Sequence, residues 1–293
     1  MHGRGVAGEK VPTRAGVGLR LPHLNDVAAA RPCLPWFEIH PENFIANPHA
    51  MNLLEQIRVD YPISVHTVGV SIGSVGGIDH DHLRRVRELV NRTEPFLVSG
   101  HLAWSTHAGT YLNDLLPLPY DDETLALLVR HVDEVQEGLG RPYLVENPSS
   151  YVGFRGSTMS EVQFLRELVR RSGCRLLCDV SNIHVSGHNM NFDARAYVDS
   201  LPAAAVGEYH LGGFKIEADE SGEGDVFIDT HSVGIDASAW DLYAYVVDRI
   251  GPRPTLIEWD NDLPDLATLI AEATRADVIA SAPTAEARLA RLG

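Results

Sequence analysis

His66, His101, Glu146, Asp179, His210 and Glu258 each stand at the end of a short apolar run. Asn182 and His184 follow Asp179 closely, and Asp229 and His231 close a further run. All are imidazole, carboxylate or amide groups, the types that bind metal ions or move protons. Taken singly, each has a plain explanation. A histidine at a strand end is usually a hydrogen-bonded structural residue, and an aspartate there often caps the next helix. Together they resist that explanation, because burying so many carboxylates and imidazoles without a cation is very costly. Four histidines with three or four carboxylates exceed what one metal can use, so two or three metals are expected. Mixed nitrogen and oxygen donors without thiolates suit iron, zinc or manganese.

Such residues can meet only if the elements beneath them converge. The apolar runs are 35–40, 62–67, 96–101, 142–147, 175–180, 206–211, 225–231 and 254–260. They are rich in Val, Ile, Leu and Phe and mostly non-alternating, as expected of strands buried on both faces. Helical patterns separate them, at 48–59, 80–92, 121–138, from Ser160 to near Gly173, 238–250 and 264–280. Alternating strands and helices predict a parallel sheet. An open doubly wound sheet would string its strand ends along a line, and no Gly-rich phosphate loop follows the first run. A (β/α)8 TIM barrel instead gathers its C-terminal strand ends on one face, where active sites form. The fold expected is therefore an α/β barrel. It comprises one catalytic domain over 16–280, an N-terminal arm over 1–15 and a tail over 281–293.

Around this constellation lie lesser candidates. His40 and Glu42, in WFEIHPEN, are read as groups that orient ligands or line the pocket. Trp104 and His107 are read as substrate contacts, and His49, His107 and His188 as solvent-facing. The run 113–120, NDLLPLPY, reads as a rigid loop, and Cys174 and Cys178 as buried structural thiols.

Bulk properties narrow the partners. A formal charge of −16 on 293 residues opposes phosphate backbones, so no nucleic-acid partner is expected. No apolar run approaches the roughly 20 residues needed to span a bilayer, so no membrane partner is expected. The polar N-terminus lacks the apolar segment of a secretory signal, which suggests a cytoplasmic protein. Three cysteines make no disulfide framework.

In order along the chain, WFEIHPENF, SVHTVGVSIGS, HLAWS, NDLLPLPY, RPYLVENPSSY, LLCDVSNIHVSG, EYHLGG, IDTH and PTLIEWD closely resemble the DUF692 family. These are the multinuclear non-haem iron-dependent oxidative enzymes (MNIOs), which include the methanobactin oxidase subunit. The resemblance spans about 16–265 and, more distantly, the ligand pattern is similar to xylose isomerase-like and endonuclease IV-like barrels. It implies two or three irons, dioxygen as co-substrate, a ribosomally made Cys-containing precursor peptide as substrate, and a partner protein that holds the leader. By the same resemblance His66, His101 and Glu146 hold one iron. Glu146 bridges to a second iron held by Asp179, His210 and Glu258. Asn182, Asp229 and His231 hold a third. Glu146, Asp179 and His210 are the residues expected to be indispensable to catalysis.

Two departures stand out. Family members often carry an acidic residue where this chain has Gly100, and a histidine where it has Phe214. The rival class is a multinuclear zinc phosphoesterase on the same barrel, with metals clamping a phosphate. A non-catalytic metal-binding subunit ranks below both, since a dense ligand set exceeds what a scaffold needs.

Overall fold

The computed structural model describes residues 12–107, 109–218 and 224–282. In chain order the elements are β1 (Ala15–Gly18), a 3-10 turn (Leu21–His23), α1 (Leu24–Ala30), β2 (Phe37–Ile39), α2 (Glu42–Ile45), α3 (Pro48–Arg58), β3 (Ile63–Thr67), α4 (His80–Thr93) and β4 (Leu97–His101). There follow β5 (Trp104–His107), β6 (Thr110–Leu116), α5 (Asp122–Leu139), β7 (Leu144–Glu146), α6 (Glu161–Ser172), β8 (Arg175–Asp179), α7 (Val180–Asn189) and α8 (Ala194–Ser200). Last come β9 (Val206–Gly212), β10 (Phe214–Ala218), β11 (Asp225–Asp229), α9 (Ala237–Ile250), β12 (Thr255–Glu258) and α10 (Leu266–Ala280). Eight parallel strands close a barrel in the order β1-β12-β9-β8-β7-β4-β3-β2. The (β/α)8 expectation is met, with two corrections.

The first barrel strand is Ala15–Gly18, pairing with both β12 and β2, and not the run at 35–40. It starts one residue inside the expected arm; residues 1–11 and 283–293 lie outside the described part. The run at 225–231 is not a barrel strand either. Its strand β11 pairs antiparallel with β10 in a separate hairpin beyond the end of β9. A hairpin needs only a neighbour close in sequence, and the β11 side chains stay half-exposed, unlike the fully buried barrel strands. Likewise, 113–120 is only partly loop: β6 runs to Leu116 and pairs back onto β5.

Strand side chains alternate between lumen and helical layer. Leu97, Leu144 and Leu177 form a separate apolar cluster that floors the lumen. Two residues further along their strands come Ser99, Glu146 and Asp179, and one more step along β4 brings His101. The outward set, including Val65, Val98, Val145, Cys178, Tyr209 and Ile257, packs against the helices in the main core. Caps fix where those helices begin. Asp79 caps α4, Asp121 caps α5, and Ser160 with Gln163 forms a capping box on α6.

Gly100 faces the helical layer, where little room is left for the acidic residue that the resemblance leads one to expect. A Cβ at this position would fall on the Tyr143 hydroxyl and 2.5 Å from Thr67 Oγ1. Those two groups hydrogen-bond each other at 2.6 Å. The hydroxyl pair fills the volume that an acidic side chain would need. Gly100→Ala is expected to cost about 3 kcal/mol by overpacking, lowering the melting temperature by roughly 6–12 °C. Adding Tyr143→Phe should restore part of that loss in a thermal melt; no recovery would place the strain elsewhere.

Candidate metal centre

His66 and His101 sit at adjacent strand ends, in β3 and β4, and Glu146 ends the next strand, β7. His66 Nε2 lies 3.0 Å from His101 Nε2 and 3.2 Å from Glu146 Oε2, and His101 Nε2 lies 3.4 Å from the same oxygen. Two ligands about 2.1 Å from one metal stand about 3.0 Å apart at a right angle and about 3.4 Å apart at the tetrahedral angle. The three separations fall within that range. His66 Nδ1 is engaged with Ser99 Oγ at 2.8 Å, which leaves Nε2 to face the cluster.

Asp179 does two things at once. Its Oδ1 caps α7 by accepting from the Asn182 amide at 2.6 Å, while its Oδ2 is buried without a partner. Asn147 locks the Asp179 backbone on both sides, donating to its carbonyl and accepting from its amide. Ligand atoms of Glu146, Asp179, His210 and Glu258 all lie within 4.8 Å of one another. His210 Nδ1 is 3.0 Å from Glu258 Oε2. Glu146 therefore belongs to both groups.

The residues of the third expected set come from outside the barrel strands, and the structure pairs Asp229 with His231 and Asn182 with Glu146. Asn182 sits in the first turn of α7, with its Nδ2 3.4 Å from Glu146 Oε1 and its Oδ1 unpartnered. His231 Nε2 lies 2.8 Å from Asp229 Oδ1, and both atoms are buried without an aligned hydrogen bond. The hairpin bearing Asp229 is pinned to α7. Asn189 pairs with both the N–H and the carbonyl of Phe227, His188 stacks on the Phe227 ring at 3.7 Å, and the Tyr151 hydroxyl accepts from the Asp229 amide. His231 itself holds a left-handed φ of 46°, anchored by its amide to Gly213 and its carbonyl to Asp260. Phe214, where the family often has histidine, packs on Phe227 and the His184 ring.

Charge explains why these groups call for a cation. Burial pulls the His66 imidazole down, yet Glu146 and Glu38 outweigh it and raise it to about 9. Burial also opposes the charge on His210, and Glu38 and Glu258 again prevail, holding it well above the ordinary range. For Asp179, burial and the neighbouring Glu146 push the carboxyl well upward. Glu146, Glu38 and Glu258 thus favour charged His66 and His210, while the Asp179 carboxyl is driven toward its neutral form. A bound metal would compete with protons for these groups, and Glu146, Asp179 and Asn182, each with a buried oxygen lacking a hydrogen-bond partner, are residues that would hold it. The donor set fits metal ions on these observations.

Several contributors escaped sequence reasoning. Arg20, just past β1, donates from Nε to Asp260 Oδ1 at 2.6 Å and from a terminal nitrogen to His40 Nε2 at 3.1 Å. His40, Glu258 and Asp260 could otherwise hold an ion, but the guanidinium already fills that corner. Burial and Arg20 lower His40 to about 4, so it accepts as a neutral ring. Glu42 instead holds the loop after β3, accepting from the Val68 and Gly69 amides and contacting His82. Glu38 and Glu208 lie deeper in the lumen, fully buried. The signal for Glu38 was available: Trp36, Glu38 and His40 alternate along one face of β2.

A cleft of about 530 Å³ opens over the centre, lined by His66, His101, Glu146 and His231 and walled by Tyr111, Leu115 and Tyr151. Trp104 and His107 are not among its lining residues. The Trp104 indole is tied to the Pro117 carbonyl, and His107, like His49 and His188, is exposed. Tyr151 is carried by the loop that ends at α6, and behind that loop Glu161 accepts from Tyr120 and Tyr197 at 2.7 and 2.6 Å. Burial raises the Glu161 carboxyl above 4.5 against the pull of those two hydroxyls. A raised folded value means that its stability contribution is present below the unfolded pKa and is lost as pH rises through the folded one. Melting temperature measured against pH should therefore fall above about 4.5 in the native chain, relative to Glu161→Gln; parallel profiles would exclude the linkage.

A closed barrel of eight parallel strands is a (β/α)8 TIM barrel, and here His, Asp and Glu clusters stand at its C-terminal strand ends. The xylose isomerase-like TIM-barrel protein of Mycobacterium smegmatis, solved in complex with magnesium, superposes with a TM-score of 0.60 over 92% of this chain and 96% of that one, at 12% identity. D-psicose 3-epimerase, solved in the presence of D-fructose, matches with a TM-score of 0.55 over 90% and 96%, also at 12% identity. Those likenesses speak to fold alone. Family membership comes from sequence: residues 14–281 match the family described as RiPP precursor modification enzyme MbnB/TglH/ChrH, and the chain belongs to it. A UPF0276 protein of Vibrio vulnificus (strain CMCP6) is 49% identical over 90% of each chain, and one of Caulobacter vibrioides (strain NA1000 / CB15N) is 44% identical over 92% of this chain and 96% of its own. Among the described residues no helix is long and apolar enough to cross a membrane.

Proposed function

We propose that this chain is a multinuclear non-haem iron enzyme that uses dioxygen to modify a ribosomally made precursor peptide, at cysteine, in the cytoplasm. The observation that carries the reading is Glu146. It stands 3.2 and 3.4 Å from the facing nitrogens of His66 and His101 and also within ligand reach of Asp179, His210 and Glu258. One carboxylate shared by two ligand groups is the arrangement that holds two metals side by side. Asn182, Asp229 and His231 are assigned to a third position by the family resemblance, with Asp229 and His231 2.8 Å apart. Family membership supplies the peptide substrate class, and a partner protein that holds the leader completes the proposal.

The irons would supply dioxygen activation and would favour the thiolate form of a bound cysteine. The protein does the rest. His66, His101, Asp179 and His210 are held by strand ends and second contacts, so the centre is organised before substrate arrives. The cleft, about 530 Å³, has room for a side chain with its flanking backbone, and Tyr111 and Tyr151 stand at its wall. Glu146, Asp179 and His210 are the residues on which turnover depends. The catalytic unit is the single barrel, from β1 at Ala15 to α10 at Ala280.

The test is turnover. Protein loaded anaerobically with Fe2+ is given dioxygen and a Cys-containing precursor peptide encoded beside its gene, with the leader-binding partner. A dioxygen-dependent mass change, localised to cysteine and lost on Cys→Ser substitution of the peptide, is expected. Hydrolysis of a phosphate ester by the zinc-loaded protein, with no peptide modification by the iron form, would favour the phosphoesterase instead.

A further inference from the structure

Glu38 lies midway along β2, fully buried, and neither of its carboxylate oxygens has a hydrogen-bond partner among the described residues. Its register neighbour on β1 is Gly18, and the Arg20 guanidinium fills the space that a Cβ there would take. Glu38 Oε2 stands 3.4 Å from Nε2 of His210, which is itself buried and unpartnered. The two ring nitrogens of His210 thus address different neighbours. Nδ1 faces Glu258 at 3.0 Å, and Glu258 belongs with Glu146, Asp179 and His210 to one group of potential ligands. Nε2 faces Glu38, below the cluster.

An imidazole binds a metal through one nitrogen and keeps its proton on the other, and a carboxylate that accepts that proton fixes the tautomer and the ring orientation. We propose that Glu38 is the positioning residue for His210: it accepts the Nε2–H and so commits Nδ1 to the metal. This rests on reading the site as a metal centre. A metal held through the Nδ1 lone pair would require that nitrogen to be free of a proton, leaving the ring proton on Nε2. The approach of 3.4 Å then closes to a charge-assisted hydrogen bond. A buried carboxylate with both oxygens idle is very costly, and this contact gives it a partner.

The rival arrangement makes Glu38 a ligand, since Glu38, His66 and His210 also offer atoms within 4.8 Å. It would claim Nε2 of His66, which already stands 3.0 and 3.2 Å from His101 and Glu146. It would also leave the Glu146, Asp179 and Glu258 group without an imidazole.

Two measurements on the full chain decide. The first uses zinc-loaded protein labelled with 15N at histidine, the His210 signals being assigned by their loss in His210→Asn. Long-range 1H–15N spectra should show Nδ1 metal-bound and Nε2 protonated; a metal-bound Nε2 overturns the proposal. The second is competitive titration with Zn2+ against a chromophoric chelator. Glu38→Gln, which keeps shape but loses the charge, should weaken one binding step by about 10–100-fold, while His66→Gln affects a different step. Unchanged affinity in a folded Glu38→Gln protein overturns it too, and if that variant fails to fold the nitrogen spectra of the native chain decide alone. Native protein that binds no metal at all would instead sink the metal-centre reading on which this inference stands.

Discussion

Glu146→Ala is expected to abolish turnover, by on the order of 10³-fold or more, and to empty two metal positions at once. The geometry makes the effect double. Its carboxylate lies 3.2 and 3.4 Å from the His66 and His101 nitrogens and belongs also to the Asp179, His210 and Glu258 group. Removing one ordinary ligand weakens one position, whereas removing a shared one weakens both. Glu146→Gln separates ligation from packing, because it keeps the volume and loses the charge. Asp179→Ala should likewise abolish turnover, with an added loss of stability from the α7 cap of about 1 kcal/mol. Metal analysis of the purified variants, alongside activity, checks this. Full metal content and normal activity in Glu146→Ala would dissolve the proposed cluster.

The second large effect is expected at a residue with no chemistry of its own. Gly212 ends β9, and a Cβ there would meet the His231 ring, with Nε2 only 2.5 Å away. The imidazole lies directly on the strand backbone. Gly212→Ala must expel it from its place beside Asp229, so one metal per chain should be lost while the His66, His101 and Glu146 position keeps its own. Turnover that needs the third position should fall by about 10²-fold or more. The matching control is His231→Ala, which should give the same metal content with less loss of stability. Were Gly212→Ala to retain full metal content, the strand and hairpin would have to yield far more easily than their hydrogen bonds suggest. Gly212 is held to Ser181 on both sides, its amide donating to the Ser181 hydroxyl and its carbonyl accepting from it.

Much of this was legible before the fold was. The strand-end residues are readable because a barrel strand is a short, mostly apolar run whose last residues reach the common face. His66, His101, Glu146, Asp179, His210 and Glu258 follow from that alone. What failed was local information asked to answer a non-local question. Asp225–Asp229 is a strand, but nothing in DVFID says whether its partner is a parallel neighbour in the barrel or the antiparallel β10 a few residues away. Ala15–Gly18 was missed for the opposite reason. AGVG is short and built from small residues, and becomes a strand only because β12 and β2 flank it. With that strand unseen, Arg20 at its end was unseen as well, and so was the corner it occupies with His40 and Asp260. Glu38 was hidden by attention to strand ends, although a carboxylate in the middle of a buried strand is a stronger oddity than one at the tip. Gly100 and Phe214 read as losses from the family pattern. At each position the chain has put an apolar or hydroxyl contact where a charged or imidazole group would go.

The central claim is a cluster of iron, and metal content tests it most directly. Protein made in iron-supplemented cells and purified without oxygen is analysed by plasma mass spectrometry against protein concentration. The account predicts two or three irons per chain with little zinc, falling by two positions in Glu146→Ala. Tightly bound zinc with negligible iron, not exchanged on reconstitution, would contradict it.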